Sequence, residues 1–142
     1  MKRALLAGLL MIAGLGGSAH AKNSEDPIAL QMYTLRNVGE ADKQFAMAGE
    51  AGFRNVELVG THGLDVKSMK RLLSQNDLNV VAAHVQLSAL ETEYANTVSF
   101  NKAVGNTHIV VPWIEPADRP DSASGWAGYA QRLDTMGAKL RK

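Results

Sequence analysis

The chain alternates short β-like apolar runs with longer stretches whose apolar positions recur at helical spacing. Ile28-Ala29-Leu30-Gln31-Met32-Tyr33 reads as a first strand. Over residues 40–51, Ala41, Phe45 and Ala48 share one helix face, and Gly52 supplies a C-terminal stop. A second strand is expected at 55–59. Asp65 is placed to cap a helix running to Gln75, with Val66, Met69, Leu72 and Leu73 on one stripe and Asn76 in the left-handed stop. A third strand follows at 80–85, then a helix over about 91–104 closed by Gly105, then a fourth strand at 107–111 ended by Pro112. Beyond a polar loop, Ser124 is placed to cap a last helix with Trp126, Ala130, Leu133 and Leu140 at helical spacing. The expected order is βαβαβαβα.

Expected strand starts near Ile28, Asn55, Asn79 and Thr107 leave room for one helix in each connection, which implies a parallel sheet. A (β/α)₈ barrel uses roughly 250 residues for eight units, so four units at this period make half a barrel. The expected class is therefore α/β, a (βα)₄ half of a TIM barrel with parallel strands. A small doubly wound sheet is the competing architecture. Thr34-Leu35-Arg36-Asn37-Val38 stands where that fold often carries G-x-G-x-x-G, which disfavours nucleotide binding.

The N-terminus changes the picture of where the protein works. Met1, Lys2 and Arg3 precede an uncharged, apolar run over residues 4–17, and Ser18-Ala19-His20-Ala21 has the A-x-A pattern of a signal peptidase site. Residues 1–21 read as a signal peptide and 22–142 as one partial barrel domain, which makes the expected location periplasmic or secreted. The run is shorter than a spanning helix requires, so no membrane association is expected after cleavage. Loss of Lys2 and Arg3 takes the 15 basic residues to 13 against 14 acidic ones, a balance with no basic footprint for nucleic acid. The chain has no cysteine, which excludes disulfides, thiolate metal sites and thiol nucleophiles.

Ligands of parallel α/β proteins bind at the carboxyl ends of the strands. The first end offers Gln31, Tyr33 and Arg36, the second Glu57 and His62, the third His84 and Gln86 and the fourth Trp113 and Glu115. Glu57 sits between Val56 and Leu58, where an unpaired carboxylate would be costly. His84 closes an apolar run and is the side chain best suited to proton transfer near neutral pH. Glu57 and His84 are the catalytic candidates; Gln31, Tyr33, Arg36, His62, Trp113 and Glu115 are the substrate-binding ones. Trp113 offers a stacking surface to a sugar ring. His108, at the start of the fourth strand, is expected to be structural. No residue set makes a metal site, and no G-x-S-x-G elbow occurs.

Three segments together resemble the xylose isomerase-like TIM-barrel proteins, the sugar phosphate isomerase/epimerase family. Residues 28–36 resemble its first strand, 51–58 its second with the glutamate, and Ala82-Ala83-His84 its third with the terminal histidine. The resemblance implies a (β/α)₈ barrel that moves protons on sugars with a divalent metal, Mn²⁺, Mg²⁺ or Co²⁺. It also implies that the main metal ligands come from strands five to eight, and this chain stops at Lys142, after strand four. Glu57 and His84 then contact sugar hydroxyls or a proton in flight, with no metal held by this half.

The leading expectation is an exported isomerase or epimerase acting on an unphosphorylated sugar, present as an amino-terminal half that is inactive alone. An alternative is a non-catalytic periplasmic carbohydrate-binding or interaction module using Trp113, Tyr33 and the strand ends. A third is a fragment that does not fold by itself. A lone four-unit sheet has two open edges, so self-association through them is also expected.

Overall fold

The structure, a computed structural model, describes residues 28–141. The expected signal peptide at 1–21 lies outside the described residues. Strands β1 (Ala29–Gln31), β2 (Asn55–Val59), β3 (Asn79–His84) and β4 (Ile109–Val110) alternate with helices α1 (Ala41–Glu50), α2 (Val66–Gln75), α3 (Leu87–Thr92), α4 (Tyr94–Ala103) and α5 (Ala123–Leu140). All neighbouring strands are parallel and their spatial order is β1-β2-β3-β4. Sequential order without reversal is the winding of a (β/α)₈ barrel, whereas a doubly wound sheet turns back across its first strand. The fold is the expected α/β half-barrel.

Three helices stop by the same local device. The amide of Phe53 donates to the Ala48 carbonyl (3.2 Å), that of Leu78 to Leu73 (2.9 Å) and that of Asn106 to Asn101 (2.9 Å). Each six-residue closure needs a left-handed residue just before the donor. Gly52 (φ 91°) and Gly105 (φ 82°) fill that place as expected, but in α2 it falls to Asp77 (φ 53°) and not to Asn76. Asn76 instead keeps φ at −112° and returns its side-chain amide to the Leu72 carbonyl at 2.8 Å. Asp65 caps α2 as expected, accepting from the Ser68 amide at 2.7 Å.

One face of the sheet is closed by the helices. Leu30, Val56, Leu58, Val80 and Ala83 meet Phe45, Ala48, Met69, Leu72 and Val104 in the main core. Phe45 is fully buried, and burial of a side chain of that size stabilises by up to about 3 kcal/mol. β3 carries an irregularity that matters for the other face. Val56 pairs with Val80, yet Glu57 pairs with Ala82, so Val81 is an extra residue. Val80 and Ala83, three apart, therefore both bury against the helices, while Ala82 and His84 share the opposite face with Glu57.

Three expectations are corrected in the second half. The helix expected over about 91–104 is two helices, broken at Glu93 (φ −123°, ψ 30°). Leu87 and Leu90 of α3, with Tyr94 at the start of α4, pack with Met136 of α5, whereas Phe100 further along α4 and the adjacent Val104 join the main core. Ser122, not Ser124, caps α5, accepting from the Gly125 amide at 3.2 Å. The packed stripe of α5 is Tyr129, Met136 and Leu140, leaving Trp126, Ala130 and Leu133 exposed. No described helix is long and apolar enough to cross a membrane.

Candidate functional site

At the carboxyl ends of the first three strands, three polar side chains form one hydrogen-bonded chain. Gln31 and Glu57 are register partners on β1 and β2, so they point to the same face. The bulge at Val81 turns His84 to that face as well. His84 Nε2 lies 2.6 Å from Glu57 Oε1, and the Gln31 amide nitrogen lies 3.2 Å from His84 Nδ1. An amide nitrogen only donates, so Nδ1 accepts and the proton of the neutral ring sits on Nε2, aimed at the Glu57 carboxylate. With side chains 18% and 24% exposed, the pair is partly desolvated yet reachable from the solvent side.

Beside this chain lies a groove of about 340 Å³ whose lining includes Tyr33, Arg36, Glu40, Gln44, Val59 and His62. A short 3₁₀ turn, Met32–Leu35, brings Tyr33 and Arg36 to it. The Arg36 guanidinium lies 4.2 Å over the Tyr33 ring and donates to the Tyr33 carbonyl at 3.0 Å. His62 holds a left-handed backbone (φ 52°) in the loop after β2. Its Nε2 accepts from the Val59 amide at 3.2 Å, and its ring meets Phe45 edge-on at 5.3 Å. Burial pushes the His62 imidazole below its ordinary value of 6.5, in keeping with a nitrogen that must accept.

The sequence candidates thus divide into three groups. Gln31, Glu57 and His84 join directly; Tyr33, Arg36 and His62 line the groove; Trp113 and Glu115 bond within their own loop. Arg119 lies 4.6 Å over the half-exposed Trp113 ring, and the Glu115 carbonyl accepts from the Asp118 amide at 2.9 Å. His108, at the sheet's other end, is exposed with Nδ1 2.9 Å from the Thr107 hydroxyl. Gln44 was missed. It is buried and donates to the Gly39 carbonyl at 2.6 Å, holding the loop that walls the groove. The signal for it was a glutamine on the same helix face as Ala41, Phe45 and Ala48.

Among the described residues no three His, Asp or Glu side chains converge on one point. Glu57 and His84 bond one another and amount to two donors, short of the set a divalent ion takes. The described residues do not by themselves fit the metal that the resemblance implies.

The xylose isomerase domain-containing protein of Salmonella typhimurium superposes on 79% of this chain with a TM-score of 0.57 at 13% identity. A sugar phosphate isomerase/epimerase of Parabacteroides distasonis superposes on 80% with a TM-score of 0.56 at 14% identity. The fold is that of the xylose isomerase-like barrels. The matches cover 45% and 48% of those two proteins, so the chain spans about half their length. A second sugar phosphate isomerase/epimerase from Parabacteroides distasonis, 16% identical, aligns over 78% of this chain and 50% of its own with a TM-score of 0.52. No protein-family model matches the sequence, and no curated protein matches it significantly.

Proposed function

We propose that the chain carries the proton-transfer half of an exported isomerase or epimerase acting on an unphosphorylated sugar. The observation that carries this reading is the 2.6 Å contact between Glu57 and His84, with Gln31 setting the ring's tautomer. Interconversion of sugar isomers through an enediolate needs a base that takes a proton from the carbon beside a carbonyl and returns it to a neighbouring carbon or to the opposite face. His84 Nε2–H holds one oxygen of the Glu57 carboxylate and leaves the other to take that proton. The electron pair of the broken C–H bond moves into the enediolate and returns when the proton does. The half-barrel fold supports the class of chemistry, and the signal-like pattern at 1–21 supports an exported protein that meets free sugars.

The groove supports a second reading, a carbohydrate-binding module without turnover. Its volume lies within the range of small-molecule sites, and Tyr33, half exposed with Arg36 stacked on its ring, stands in its lining as a contact for a sugar. Exchange in D₂O separates the two readings. The chain is incubated with a panel of aldoses and ketoses, with and without Mn²⁺ or Mg²⁺, and deuterium at the carbon beside the carbonyl is followed by NMR. Slow incorporation that Glu57→Gln abolishes is the expected result, since proton abstraction uses groups this half holds, whereas net conversion of the sugar by this half alone is not expected. Calorimetric binding of a sugar without exchange in any condition favours the module, and neither binding nor exchange overturns both.

A further inference from the structure

Two side chains in the lining of the groove, His62 and Gln44, each spend one polar atom on the backbone and keep the other. His62 Nε2 accepts from the Val59 amide at 3.2 Å, so the proton of the neutral ring sits on Nδ1, which can only donate. Gln44 Nε2 donates to the Gly39 carbonyl at 2.6 Å, which fixes the amide and leaves Oε1 to accept. Among the described residues, His62 Nδ1 and Gln44 Oε1 have no hydrogen-bond partner, yet no fully buried side-chain nitrogen or oxygen lacks one. Both atoms are therefore open to solvent. The cavity that both residues line is the groove, and with Gln44 only 9% exposed, that opening is the access to its Oε1.

The two atoms are held in place from behind. The His62 ring is fixed between the Val59 amide and the edge of Phe45, itself fully buried, and Gln44 precedes Phe45 on α1. A fixed donor beside a fixed acceptor matches hydroxyl groups, which take one hydrogen bond and give another. Charge points to the same chemistry. The lining carries one cation, Arg36, and one anion, Glu40, and Arg36 is engaged with the ring and carbonyl of Tyr33 at 4.2 and 3.0 Å. No surplus of positive charge remains there for a phosphate or a carboxylate.

Resting on the reading of this groove as the seat of a sugar, we infer that His62 and Gln44 determine which ligand it takes. His62 Nδ1–H donates to a hydroxyl oxygen of a neutral polyhydroxy chain, and Gln44 Oε1 accepts a hydroxyl proton from the same chain. The groove is tied to the proton-transfer pair through the backbone. Val59, whose amide holds the His62 ring, is the register partner of His84, and the Gly60 amide donates to the His84 carbonyl at 2.9 Å. A chain held by its hydroxyls at His62 therefore lies beside the strand ends that carry Glu57 and His84. A ligand without one of the two hydroxyls leaves a fixed groove atom unpaired, so the loss of affinity falls on particular positions of the chain.

Titration of the ¹⁵N-labelled chain with xylitol, sorbitol and mannitol tests the assignment, read from the His62 ring nitrogens and the Gln44 side-chain amide. These alditols have no carbonyl, so their binding is separate from proton transfer. Saturable shifts at both side chains are expected, with sorbitol 6-phosphate binding no tighter than sorbitol. Among monodeoxy derivatives of the tightest alditol, the one lacking the hydroxyl held by His62 binds roughly five- to tenfold more weakly, the worth of about one neutral hydrogen bond. His62→Asn weakens the parent alditol by a like factor and leaves that derivative unaffected; a ring that only braced its loop would penalise both alike and overturn the role. If the variant does not fold, the deoxy series on the unaltered protein decides. No saturable shift, tighter binding of the phosphate ester, or deoxy derivatives that all bind like the parent overturns the proposal. Alditol binding of the expected kind without deuterium incorporation into sugars overturns the proton-transfer reading alone, and incorporation without such binding overturns this one alone.

Discussion

Val56 and Glu57 are consecutive on β2, but their partners on β3, Val80 and Ala82, are not. This one-residue slip joins the core to the site. Under strict alternation, Ala82 and His84 would share the helix-facing side of Val80. The extra residue, Val81, reverses the phase, so Ala83 closes the core and His84 turns to Glu57.

The hydrogen bonds of His84 set its tautomer. Long-range ¹H–¹⁵N correlation spectra of the neutral ring are expected to show the proton on Nε2, with Nδ1 as the bare nitrogen. Gln31→Glu removes the donor to Nδ1 and supplies an acceptor in its place, so the proton is expected to move from Nε2 toward Nδ1. A spectrum unchanged by that substitution would show that Gln31 does not control the ring.

Two helical glycines are expected to respond in opposite directions to alanine. Gly49→Ala places a Cβ against the Asn76 carbonyl, and forcing α1 from α2 should cost about 1–3 kcal/mol, outweighing the gain of about 1 kcal/mol in helix propensity. Gly128, in α5, has open space around its Cβ position, so Gly128→Ala should stabilise by about 0.5–1 kcal/mol. Urea denaturation of the two variants measures both, provided their slopes match that of the parent.

At the end of α2 a left-handed aspartate offers a gain. Asp77 holds φ at 53°, which costs an L-residue of this kind a fraction of the 1–2 kcal/mol typical of the left-handed helix. Asp77→Gly should therefore raise stability by about 0.5–1 kcal/mol, read from the same denaturation curves. Asn76→Gly, by contrast, removes the side-chain bond to Leu72 without relieving any strain and should destabilise.

His62 gives the fold a pH dependence of definite sign. Burial lowers its folded value below the 6.5 of the unfolded chain, so between the two the unfolded state binds more protons. The contribution to stability is complete above about 6.5 and is lost as pH falls through the folded value, where a protonated Nε2 no longer accepts from the Val59 amide. His62→Asn keeps a residue that tolerates the left-handed backbone and removes the titration. Chemical denaturation from neutral pH down toward 5 should show a shallower fall for this variant than for the parent; parallel curves would exclude His62 as the source.

What the sequence by itself determined is local. The order of strands and helices, the cap at Asp65 and the glycine stops at Gly52 and Gly105 follow from spacing within a few residues, and the structure places them as expected. Gln31, Glu57 and His84 were legible for the same reason, as polar groups at the ends of apolar runs. Tertiary structure decided what depends on more than one element. The Val81 bulge exists only in the pairing of β3 with β2, and it alone turns His84 to Glu57. Across the break at Glu93, Leu87, Leu90 and Tyr94 face α5 while Phe100 faces the main core, and the packed face of α5 is chosen by these neighbours and not by its own apolar spacing. Periodicity within one helix reports which residues are apolar; only the neighbouring layers decide which of them are covered, and Met47, Trp126 and Leu133 are not.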